Sequence, residues 1–493
     1  MPLLANSHRP VRKSMRHARA VDIVEMIAPE GADSPRDRLA AGLRAAILGG
    51  RMRPGDAVPS SRAVASAVGI ARGTVVRIYD ELSGEGYLET VQGSGTFVST
   101  RVPPRAPHAE NVATEIRVNA GDPAPTAPSS PPIELRPGIP STASITRGDW
   151  AAAWRRATAG EVPAVYPPAA GLPALREQIA RHLFHARGLA CDPDDVIVTS
   201  GAREGLALVA LGLAARHGRH LRVGCENPGH VGSRTVLARF GAELVPIDVI
   251  DGGVDLDAVQ SERLTALLVT PSHQYPLGGS LDVGRRLQLL EWAARTGSII
   301  IEDDYDSEFR HVGRALPSIA SLDDSGLVVH VGSYSKVITP WLRCGYVVVR
   351  DPALRAAILD ARVDVGETVS GIPQQALAHY LESGGLSRHL ARTRRAYAHK
   401  RALVRDALGR ELGSSLTLSA LDGGLHAVLS SPAGTGNADL AERLSCRGVV
   451  VTELARHYFA PIAPPREGIV FGYGAATDLE LQAALATIRR ETA

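Results

Sequence analysis

Helical spacing of apolar residues dominates residues 36–100. Three segments carry apolar side chains three or four positions apart: residues 36–48, a second helix that Ser60 or Ser61 caps and Gly69 ends, and residues 71–83. On the third helix the predicted buried residues are Val75, Val76, Tyr79 and Leu82. Residues 87–90 and 96–98 alternate as two strands around a glycine-containing turn. Helix, glycine turn, helix and hairpin together predict a winged helix-turn-helix, an α+β module.

Short apolar runs alternate with amphipathic helices through residues 134–493. The runs predict strands at residues 196–198, 221–223, 244–247, 266–269, 298–301, 327–331 and 346–349. Helices are predicted between them at residues 174–187, 204–216, 235–240 and 284–295. This alternation predicts an α/β domain with a largely parallel sheet and helices on both faces. A helical stretch after Pro352 and strand candidates at residues 426–429, 449–451 and 469–472 predict a small C-terminal α+β subdomain.

Proline-rich sequence separates these two regions. Residues 101–133 include GDPAPTAPSSPP, and proline at this density favours an extended, semi-stiff backbone without a packed core. Residues 1–35 show no clear pattern. We therefore expect a multidomain chain: a flexible extension (1–35), a winged helix-turn-helix (36–100), a linker (101–133) and an α/β body (134–493).

Charge and cysteine content restrict the class of protein. The formal net charge is only +2, so any nucleic-acid surface must be local. The four cysteines lie far apart without a CxxC pair, which predicts neither a metal site nor a disulfide framework. No run approaches the ~20 apolar residues that cross a bilayer, and no signal peptide is evident. We expect a soluble, cytoplasmic protein that does not bind membranes.

Lys336 is the most informative of only three lysines. Lys400 lies in a charged helical run, where a solvated position is expected, and Lys13 lies in the basic N-terminal extension. Lys336 instead follows an apolar run and lies between Ser333 and Arg343. A desolvated lysine can act as a nucleophile toward aldehydes, and serine and arginine beside it can hold a phosphate. The pattern suggests pyridoxal 5′-phosphate (PLP), with an ordinary surface loop as the alternative.

Other polar clusters occur at predicted strand ends. Ser200-Gly201-Ala202-Arg203 joins a strand to a helix start, where free N–H groups can bind an anion. The carboxylates of residues 302–304 end another strand, where one can hold the pyridinium proton of PLP, although capping or solvated acids are the simpler interpretation. His273 follows a third strand and can contact the cofactor ring or serve a structural role. Strand ends are where open α/β sheets bind ligands, so together these clusters favour PLP.

The third helix of the N-terminal module carries Arg72, Thr74 and Arg77 near its start, where recognition helices meet DNA. A generic helical domain with solvated arginines is the alternative, since acidic residues toward the helix end partly offset the charge. Residues 53–98 read RPGDAVPSSRAVASAVGIARGTVVRIYDELSGEGYLETVQGSGTFV. This sequence resembles the winged helix-turn-helix of GntR-family transcription regulators. The resemblance implies that double-stranded DNA is contacted by Arg62, Arg72, Thr74 and Arg77 and approached by Gly95.

The body resembles fold-type I aminotransferases. TPSHQYPLG, IIEDDYDSEFR and GSYSKVITPWLRCGY are similar to the MocR (GabR-like) branch of the GntR family, which joins a winged helix to an aminotransferase-like domain. The resemblance implies that Lys336 forms the Schiff base with PLP, Asp303 pairs with the pyridine nitrogen and Tyr305 with the phenolic oxygen. It implies phosphate contacts from Ala202, Arg203, Ser333 and Arg343. Tyr166 would reach the cofactor of a partner subunit, so the resemblance implies a homodimer with a head-to-tail, domain-swapped arrangement.

Three positions depart from the family pattern. His230 replaces an aromatic residue beside the cofactor, Tyr166 is followed by Pro167-Pro168, and Leu277 replaces the usual threonine. These changes predict an atypical effector pocket. For the arginine that binds an effector carboxylate, Arg456 fits by spacing, Arg466 is a second candidate and Arg234 a third.

The combined expectation is a PLP-dependent transcription regulator that senses a small amine or amino-acid effector, or PLP itself. An active aminotransferase with an accessory DNA-binding arm is the alternative, since Lys336, Asp303 and Arg343 are all present. A DNA-binding protein whose altered pocket no longer holds PLP is a third, supported by His230. We expect a sensor rather than an enzyme, with residual transaminase activity possible.

Overall fold

The computed structural model describes residues 35–91, 95–99, 131–218, 220–313, 316–366, 369–409, 416–460 and 465–492. The flexible extension predicted for residues 1–35 and the linker predicted for 101–133 therefore lie almost entirely outside the described residues. The chain divides into two compact units, residues 1–127 with Thr477–Glu480 and residues 128–476 with 481–493.

The first unit is a helix-turn-helix followed by a hairpin. Its elements are α1 (Pro35–Leu48), α2 (Ser61–Val68), α3 (Arg72–Gly84), β1 (Leu88–Val91) and β2 (Gly95–Val98). Ser60 caps α2, because its side chain accepts a hydrogen bond from the N–H of Ala63 at 3.3 Å. Gly69 ends α2 in the left-handed conformation, φ 72°. The two strands pair antiparallel, and the predicted winged architecture is confirmed.

One predicted core position in this unit is wrong. Val76 is 39% exposed, whereas Ile78 is fully buried with Val75, Tyr79 and Leu82. The buried residues of α3 thus follow the i, i+3, i+4, i+7 spacing of one helical face, and Val76 lies off that face.

The second unit contains all seven predicted sheet strands. Its strands are β3 (Ile133–Glu134), β4 (Val196–Thr199), β5 (Leu221–Asn227), β6 (Ala242–Ile250), β7 (Gly253–Val254), β8 (Ala266–Val269), β9 (Ile299–Asp304), β10 (Val328–Ser333), β11 (Gly345–Val349), β12 (Thr417–Ser419), β13 (His426–Pro432), β14 (Val449–Val450), β15 (Thr452–Glu453) and β16 (Arg466–Gly472). The main sheet has the order β4-β11-β10-β9-β8-β5-β6-β7. Strands β10, β9, β8, β5 and β6 are mutually parallel, and β11 is antiparallel to both of its neighbours.

Helices cover both faces of this sheet. The helices of this unit are α4 (Arg147–Ala157), α5 (Pro173–Arg187), α6 (Ala202–His217), α7 (Val231–Arg239), α8 (Leu256–Ser261), α9 (Val283–Thr296), α10 (Ile319–Leu322), α11 (Pro352–Val365), α12 (Gly371–Glu382), α13 (Gly385–Leu408), α14 (Leu440–Cys446) and most of α15 (Asp478–Glu491). Neighbouring residues of one strand join different apolar clusters: Val196 and Val198 lie in one, and Ile197 lies in the other. Because side chains alternate along a strand, this division confirms a sheet buried on both faces.

The C-terminal subdomain contains an antiparallel sheet of order β12-β13-β16-β15. Residues 449 and 450 of the strand predicted at 449–451 form β14, and a second short strand, β15, follows at residues 452–453. β14 pairs parallel with β3 in a separate two-stranded sheet, and β15 joins the antiparallel sheet. Short 3₁₀ turns at Pro193–Asp195, Ser307–Phe309, Pro340–Leu342 and Leu454–His457 complete the described elements.

Lys400 is buried, contrary to the expected solvated position. Its side chain is 7% exposed, and its Nζ donates to the carbonyl oxygens of Gly474 and Ala476. A lysine in a charged helical run thus ties α13 to the segment before α15, because hydrogen bonds to carbonyls offset the cost of burying the ammonium group.

Cys191, Cys225, Cys344 and Cys446 are free thiols. Within the described residues, the search for a helix both long and apolar enough to span a bilayer finds none.

Candidate functional site

The sheet register brings the predicted site residues to one edge. The parallel strands β9 and β10 end there, with Asp303 opposite Val331. β11 runs the other way, so its first residue, Gly345, lies beside Ser333 at the end of β10. Gly345 also pairs with Thr199 at the end of β4. Asp303 near the end of β9, Ala202 at the start of α6, and the loops that carry Lys336 and Arg343 therefore lie at the same end of the strands, where open α/β sheets bind ligands.

Lys336 follows β10 and is half-buried. Its Nζ lies 4.2 Å from the ring centroid of Tyr305 and 5.8 Å from that of Tyr275. Burial lowers the pKa of Lys336, although the charges of Asp303 and Asp306 oppose that effect. The amine therefore loses its proton more readily than a surface lysine, which a nucleophile toward an aldehyde requires.

Gly138 lines the same side chain. A Cβ built on Gly138 would lie 3.3 Å from Cε of Lys336, and Gly138 has φ 86°. A side chain at this position would strain the backbone and press on the lysine stem. Sequence reasoning did not select Gly138, since an isolated glycine carries no signal for a contact two hundred residues away.

Asp303 is the buried carboxylate of the site, 6% exposed. Burial raises its pKa, and the charge of Lys336 and a 3.2 Å hydrogen bond from Ser233 Oγ oppose this. A buried carboxylate at the sheet edge can accept a hydrogen bond from a protonated ring nitrogen.

His230 holds Ser233 in place for Asp303. Its Nδ1 accepts a hydrogen bond from the Ser233 N–H at 3.1 Å and so caps α7. The same nitrogen lies 2.8 Å from Ser233 Oγ. Burial lowers the pKa of His230 to about 3, with the charge of Lys336 adding to the effect. The imidazole is therefore neutral, and it lies beside Ser233 and Tyr275. Its contact with a cofactor stays a prediction.

The residues of the predicted anion cup lie at the start of α6. Gly201 precedes α6 with φ 128°, and the first N–H groups of a helix have no intrahelical acceptor. A Cβ on Gly345 would lie 2.9 Å from Gly201 Cα, so two backbones meet closely here. Ala202 is half-buried and Arg203 is exposed.

Three of the predicted phosphate residues carry polar side chains: Ser333, Arg343 and Arg203. Ser333 Oγ accepts a hydrogen bond from the Ser335 N–H at 3.1 Å. Arg343 is exposed and has the left-handed φ of 46°, a strained conformation for a residue with a side chain. Arg203 reaches toward α7, because a Cβ on Gly232 would lie 2.6 Å from its Nη2 and 2.9 Å from Cε1 of His230.

His273 contacts Tyr305 and Asp306. Its Nδ1 lies 3.0 Å from the Tyr305 hydroxyl and 3.0 Å from Asp306 Oδ2. His273 and Asp306 are 4% and 1% exposed. Burial raises the pKa of Tyr305 well above its usual value, so its hydroxyl stays protonated. Asp306 was not predicted from the sequence, although it directly follows the motif that supplied Asp303 and Tyr305.

Tyr275 is the centre of an aromatic and imidazole cluster. Its ring centroid lies 5.1–5.6 Å from those of His230, His426, His457 and Tyr305. Burial lowers the pKa of His426 to about 3 and that of His457 to about 4, so both are neutral. Sequence reasoning missed both histidines, because they come from distant segments without a motif.

Glu226 is a buried acid beside this cluster. It accepts hydrogen bonds from Thr270 Oγ1 at 2.5 Å, the Thr270 N–H at 3.1 Å and Gln274 Nε2 at 3.3 Å. Burial raises the pKa of Glu226 to about 7. It joins the ends of β5 and β8, and no sequence motif marked it.

His273, Asp306 and His426 also offer possible metal-ligand atoms within 4.8 Å of one another. Hydrogen bonds account for the arrangement, since His273 bonds Asp306 and His426 Nε2 lies 3.0 Å from the Pro276 carbonyl oxygen. That the protein uses no metal stays a prediction.

The three effector arginines have different surroundings. Arg456 is exposed. Arg466 donates to Ser430 Oγ at 2.9 Å. Arg234 is 7% exposed, lies with Cζ 4.2 Å over the ring of Phe459, and donates from Nη2 to the Tyr458 carbonyl at 3.4 Å. Its buried Nη1 has no hydrogen-bond partner among the residues that the structure describes.

Tyr166 lies on the surface of the second unit. It is 90% exposed, as is Val162, and Val165 is 80% exposed. Such an apolar segment is typical of a surface that a partner covers. Contact between Tyr166 and a cofactor of another subunit stays a prediction.

The donor set at the sheet edge fits PLP. A desolvated lysine, a buried carboxylate and a phenol lie together, and a helix N-terminus with serine and arginine side chains lies beside them. These groups match an aldehyde, a pyridine nitrogen, a ring oxygen and a phosphate.

The predicted DNA residues lie on the first unit. Arg62, Arg72 and Arg77 are exposed, Gly95 is exposed, and Thr74 is half-buried. The weak bonds of Arg72 to Ser61 Oγ (3.4 Å) and Arg77 to Thr74 Oγ1 (3.5 Å) leave their guanidinium groups available to phosphates.

Glu81 on α3 and Glu85, which directly follows its last residue, pair with arginines of α1 instead. Arg44 bonds Glu85 at 2.5 Å and Glu81 at 2.9 Å, and Arg36 bonds Glu81 at 2.6 Å. The negative charge toward the end of α3 is thus directed away from its arginine-bearing start.

Comparison with known proteins gives both regions a family. Residues 35–98 match the model of bacterial regulatory proteins of the gntR family, and residues 132–459 match aminotransferase class I and II. The chain is 38% identical over 471 residues to the HTH-type pyridoxine biosynthesis transcriptional regulator PdxR of Corynebacterium glutamicum, covering 95% of this chain and 98% of the relative. It is 33% identical to the probable rhizopine catabolism regulatory protein MocR of Rhizobium meliloti, covering 91% and 92%.

Solved structures show the fold of the second unit. A kynurenine aminotransferase of Pyrococcus horikoshii matches with a TM-score of 0.67 and 20% identity, over 74% of this chain and 91% of that one. The two family matches in this order, together with the relatives aligned over most of the chain, establish that the protein belongs to the MocR-type GntR-family transcription regulators with an aminotransferase-like domain.

Proposed function

We propose that this protein is a DNA-binding transcription regulator that binds PLP covalently through Lys336 and changes its DNA-bound state in response to a small effector. The observation that carries the proposal is the meeting of Lys336, Asp303 and Tyr305 at one sheet edge, with Lys336 Nζ 4.2 Å from the Tyr305 ring. The GntR-family module in the same chain supports DNA, rather than a second substrate, as the target of the signal.

Each side chain has a role in holding the cofactor. Lys336 supplies the amine that binds the aldehyde, and buried Asp303 keeps a proton on the pyridine nitrogen, which is what makes PLP an electron sink. The N–H groups of Ala202 and Arg203, with Ser333 and Arg343, bind the phosphate. His230 and Tyr275 pack as neutral rings beside the site.

Two effector classes are consistent with this pocket. A primary amine or amino acid can take the place of Lys336 on the cofactor, and Arg234, Arg456 or Arg466 can bind its carboxylate. PLP itself is the second class, supported by the relative whose name is pyridoxine biosynthesis transcriptional regulator. Either effector acts only if it binds two conformations of the regulator with different free energies.

The assembly and location follow from this role. We propose a homodimer in which the exposed Tyr166 segment packs against the partner, since a head-to-tail pair would cover the apolar residues 162–166. The winged helix of residues 36–100 reads an operator, the linker of residues 101–133 connects it to the body of residues 134–493, and the protein works in the cytoplasm, where bacterial DNA lies.

An active aminotransferase is the second candidate. The lysine and carboxylate that transamination requires are present, and a 2-aminoadipate transaminase of Thermus thermophilus is 29% identical over 58% of this chain. A transaminase releases a keto product with each turnover, whereas a sensor binds its effector without sustained turnover.

The first test combines spectroscopy with the small number of lysines. The full-length protein is loaded with PLP and its absorbance spectrum is recorded. The protein is then reduced with borohydride and digested, beside Lys336→Ala and the matched control Lys13→Ala. We expect a visible absorbance band and labelled Lys336 in the parent and in Lys13→Ala, and neither in Lys336→Ala. No band in the parent with excess PLP would leave the body without a cofactor and overturn the proposal.

A DNA-binding assay then separates the effector classes. Operator affinity is measured without PLP, with PLP and with PLP plus candidate amines, and keto product is measured in the same samples. A change with PLP alone indicates that PLP is the effector. A change only with an amine, without sustained keto product, indicates an amine sensor, and continuous keto product indicates the aminotransferase.

A further inference from the structure

The side chains of Asp306, His273 and Tyr305 contact one another in that order. Asp306 and His273 are buried, and Tyr305 is half-buried. Both Asp306 Oδ2 and the Tyr305 hydroxyl lie 3.0 Å from the same nitrogen, Nδ1 of His273. The rings of His273 and Tyr305 are nearly parallel, with centroids 6.0 Å apart and an interplanar angle of 22°. Water does not reach the pair, because His273 and Asp306 are 4% and 1% exposed.

Gly424 makes room for this arrangement. It has φ 66°, and a Cβ built on it would overlap Oδ2 of Asp306 and lie 3.0 Å from Cε1 of His273. Any side chain at residue 424 would displace the carboxylate from the imidazole. The local backbone thus permits a contact that a larger residue would exclude.

Nδ1 of His273 cannot donate a hydrogen bond to Asp306 and accept one from Tyr305 at the same time. If Nδ1 carries the proton, it donates to Asp306, and the Tyr305 hydroxyl cannot donate to it. If Nδ1 is bare, it accepts from Tyr305, but its lone pair then faces a buried carboxylate. A charge-assisted N–H···O⁻ bond is much stronger than a neutral one, and a buried unpaired carboxylate is costly. The first arrangement is therefore favoured.

We propose that Asp306 and His273 are positioning residues for Tyr305: the Asp306 carboxylate holds the proton on Nδ1 of His273, so that Tyr305 keeps its own hydroxyl proton for the phenolic oxygen of PLP. This inference rests on the proposed binding of PLP at Lys336. It assigns roles to Asp306, which the sequence did not mark, and to His273, whose effect on the cofactor passes through Tyr305.

The proposal has a measurable consequence. A hydroxyl that donates to the phenolic oxygen stabilises negative charge there, so the nitrogen that joins Lys336 to PLP holds its proton less firmly. Loss of that hydrogen bond raises the pH at which the visible band changes. Other titratable groups also face these side chains: Asp303, Glu226, Tyr275 and Lys336 around Tyr305, and His311 and His426 around His273. All of them are retained in the variants below.

The test is a pH titration of the visible absorbance of PLP-loaded, full-length protein. Tyr305→Phe gives the full effect of losing the donor, which we expect to raise the midpoint by roughly one pH unit, tenfold in proton affinity. Asp306→Ala frees Nδ1 to accept the Tyr305 proton and should raise the midpoint in the same direction. The double variant Asp306→Ala with Tyr305→Phe should match Tyr305→Phe alone, because Asp306 acts through the hydroxyl.

His273→Asn is the conservative control, since its amide N–H can replace Nδ1–H toward Asp306 and should keep the midpoint near the parent value. His273→Leu removes the imidazole, so no acceptor competes for the Tyr305 proton and the midpoint should also stay near the parent value. Asp306→Val serves as the second variant if Asp306→Ala does not fold, and it should raise the midpoint. An unchanged midpoint in Asp306→Ala or Asp306→Val, while Tyr305→Phe shifts, overturns the inference, and so does an unchanged midpoint in Tyr305→Phe. Absence of any band in the parent instead overturns the proposed binding of PLP.

Discussion

His330 on β10 and Glu302 on β9, the strand that also carries Asp303, form a fully buried pair. His330 Nδ1 lies 3.2 Å from Glu302 Oε2, and both side chains are 0% exposed. Burial alone would raise the pKa of Glu302, but the hydrogen bond and charge of His330 lower it to about 2. Burial alone would lower the pKa of His330, but Glu302 raises it above 6.5. The N–H groups of Ile319 and Ala320 complete the carboxylate's hydrogen bonds.

The first prediction is a window of pH in which this pair stabilises the protein. The contribution of Glu302 is complete above pH 4.5 and is lost as pH falls toward 2; that of His330 is complete below pH 6.5 and is lost as pH rises through its raised pKa. Glu302→Gln leaves His330 without its charged partner and should cost about 3–5 kcal/mol of unfolding free energy inside the window. Denaturant unfolding of both proteins across pH checks this. A difference that stays constant from acidic to alkaline pH would contradict it.

The second prediction concerns the space between Arg203 and His230. Gly232→Ala places a methyl group 2.6 Å from Arg203 Nη2 and 2.9 Å from His230 Cε1, so the guanidinium must move. If the Arg203 guanidinium binds the phosphate in addition to the N–H groups at the start of α6, PLP affinity should fall roughly tenfold or more, the value of a hydrogen bond to a charged group. PLP titration followed by absorbance measures this. Gly160→Ala is the matched control, because a Cβ at Gly160 meets nothing within 4 Å; equal affinity of the two variants would argue against a role for Arg203.

The third prediction separates the arginines of the winged helix. Arg77→Ala removes an exposed guanidinium near the start of α3, whereas Arg36→Ala removes one that bonds Glu81 at 2.6 Å on the far side of the module. Operator affinity should fall in Arg77→Ala, and the log–log salt slope should become shallower by about 0.9 for each phosphate that the variant no longer neutralises. Arg36→Ala should bind normally, because an exposed ion pair contributes at most ~1 kcal/mol to stability. An equal fall in affinity in both variants would indicate that the module is destabilised, and would argue against a direct role of Arg77 in DNA binding.

Sequence patterns predicted the strands, the covering of both sheet faces by helices, and the site residues at strand ends, because these features depend on local periodicity and on where a strand stops. Lys336 and the carboxylates of residues 302–304 were found this way, since they lie at or just after the end of a strand, whereas Tyr305 came from the family resemblance. The failures are positions that tertiary contacts decide. Lys400 is buried because carbonyls 74 and 76 residues away accept its hydrogen bonds. β14 pairs with Ile133 of β3 and not with a strand of the C-terminal antiparallel sheet, and the local sequence does not show this pairing. His426 and His457 reach Tyr275 only through the fold.

The fourth prediction identifies the arginine that binds an effector carboxylate. Arg466 already donates to Ser430 and Arg456 is exposed, whereas Arg234 holds a buried Nη1 without a partner among the described residues, in a setting where burial lowers its pKa. An unpaired buried donor is costly, so a carboxylate that reaches Nη1 gains a strong hydrogen bond. We expect Arg234→Gln to weaken amino-acid binding roughly tenfold or more.

Two probes isolate the interaction with the carboxylate. The visible spectrum of PLP-loaded protein is titrated with an amino acid and with the amine that lacks its carboxylate, in Arg234→Gln and in the matched variants Arg456→Gln and Arg466→Gln. Arg234→Gln should weaken binding of the amino acid and leave binding of the amine unchanged, because only the carboxylate distinguishes them. A weakening confined to Arg456→Gln would assign the carboxylate to the exposed arginine. Parallel weakening for both probes would mean that Arg234 acts through its packing against Phe459 and not on a carboxylate, since its guanidinium lies 4.2 Å over that ring.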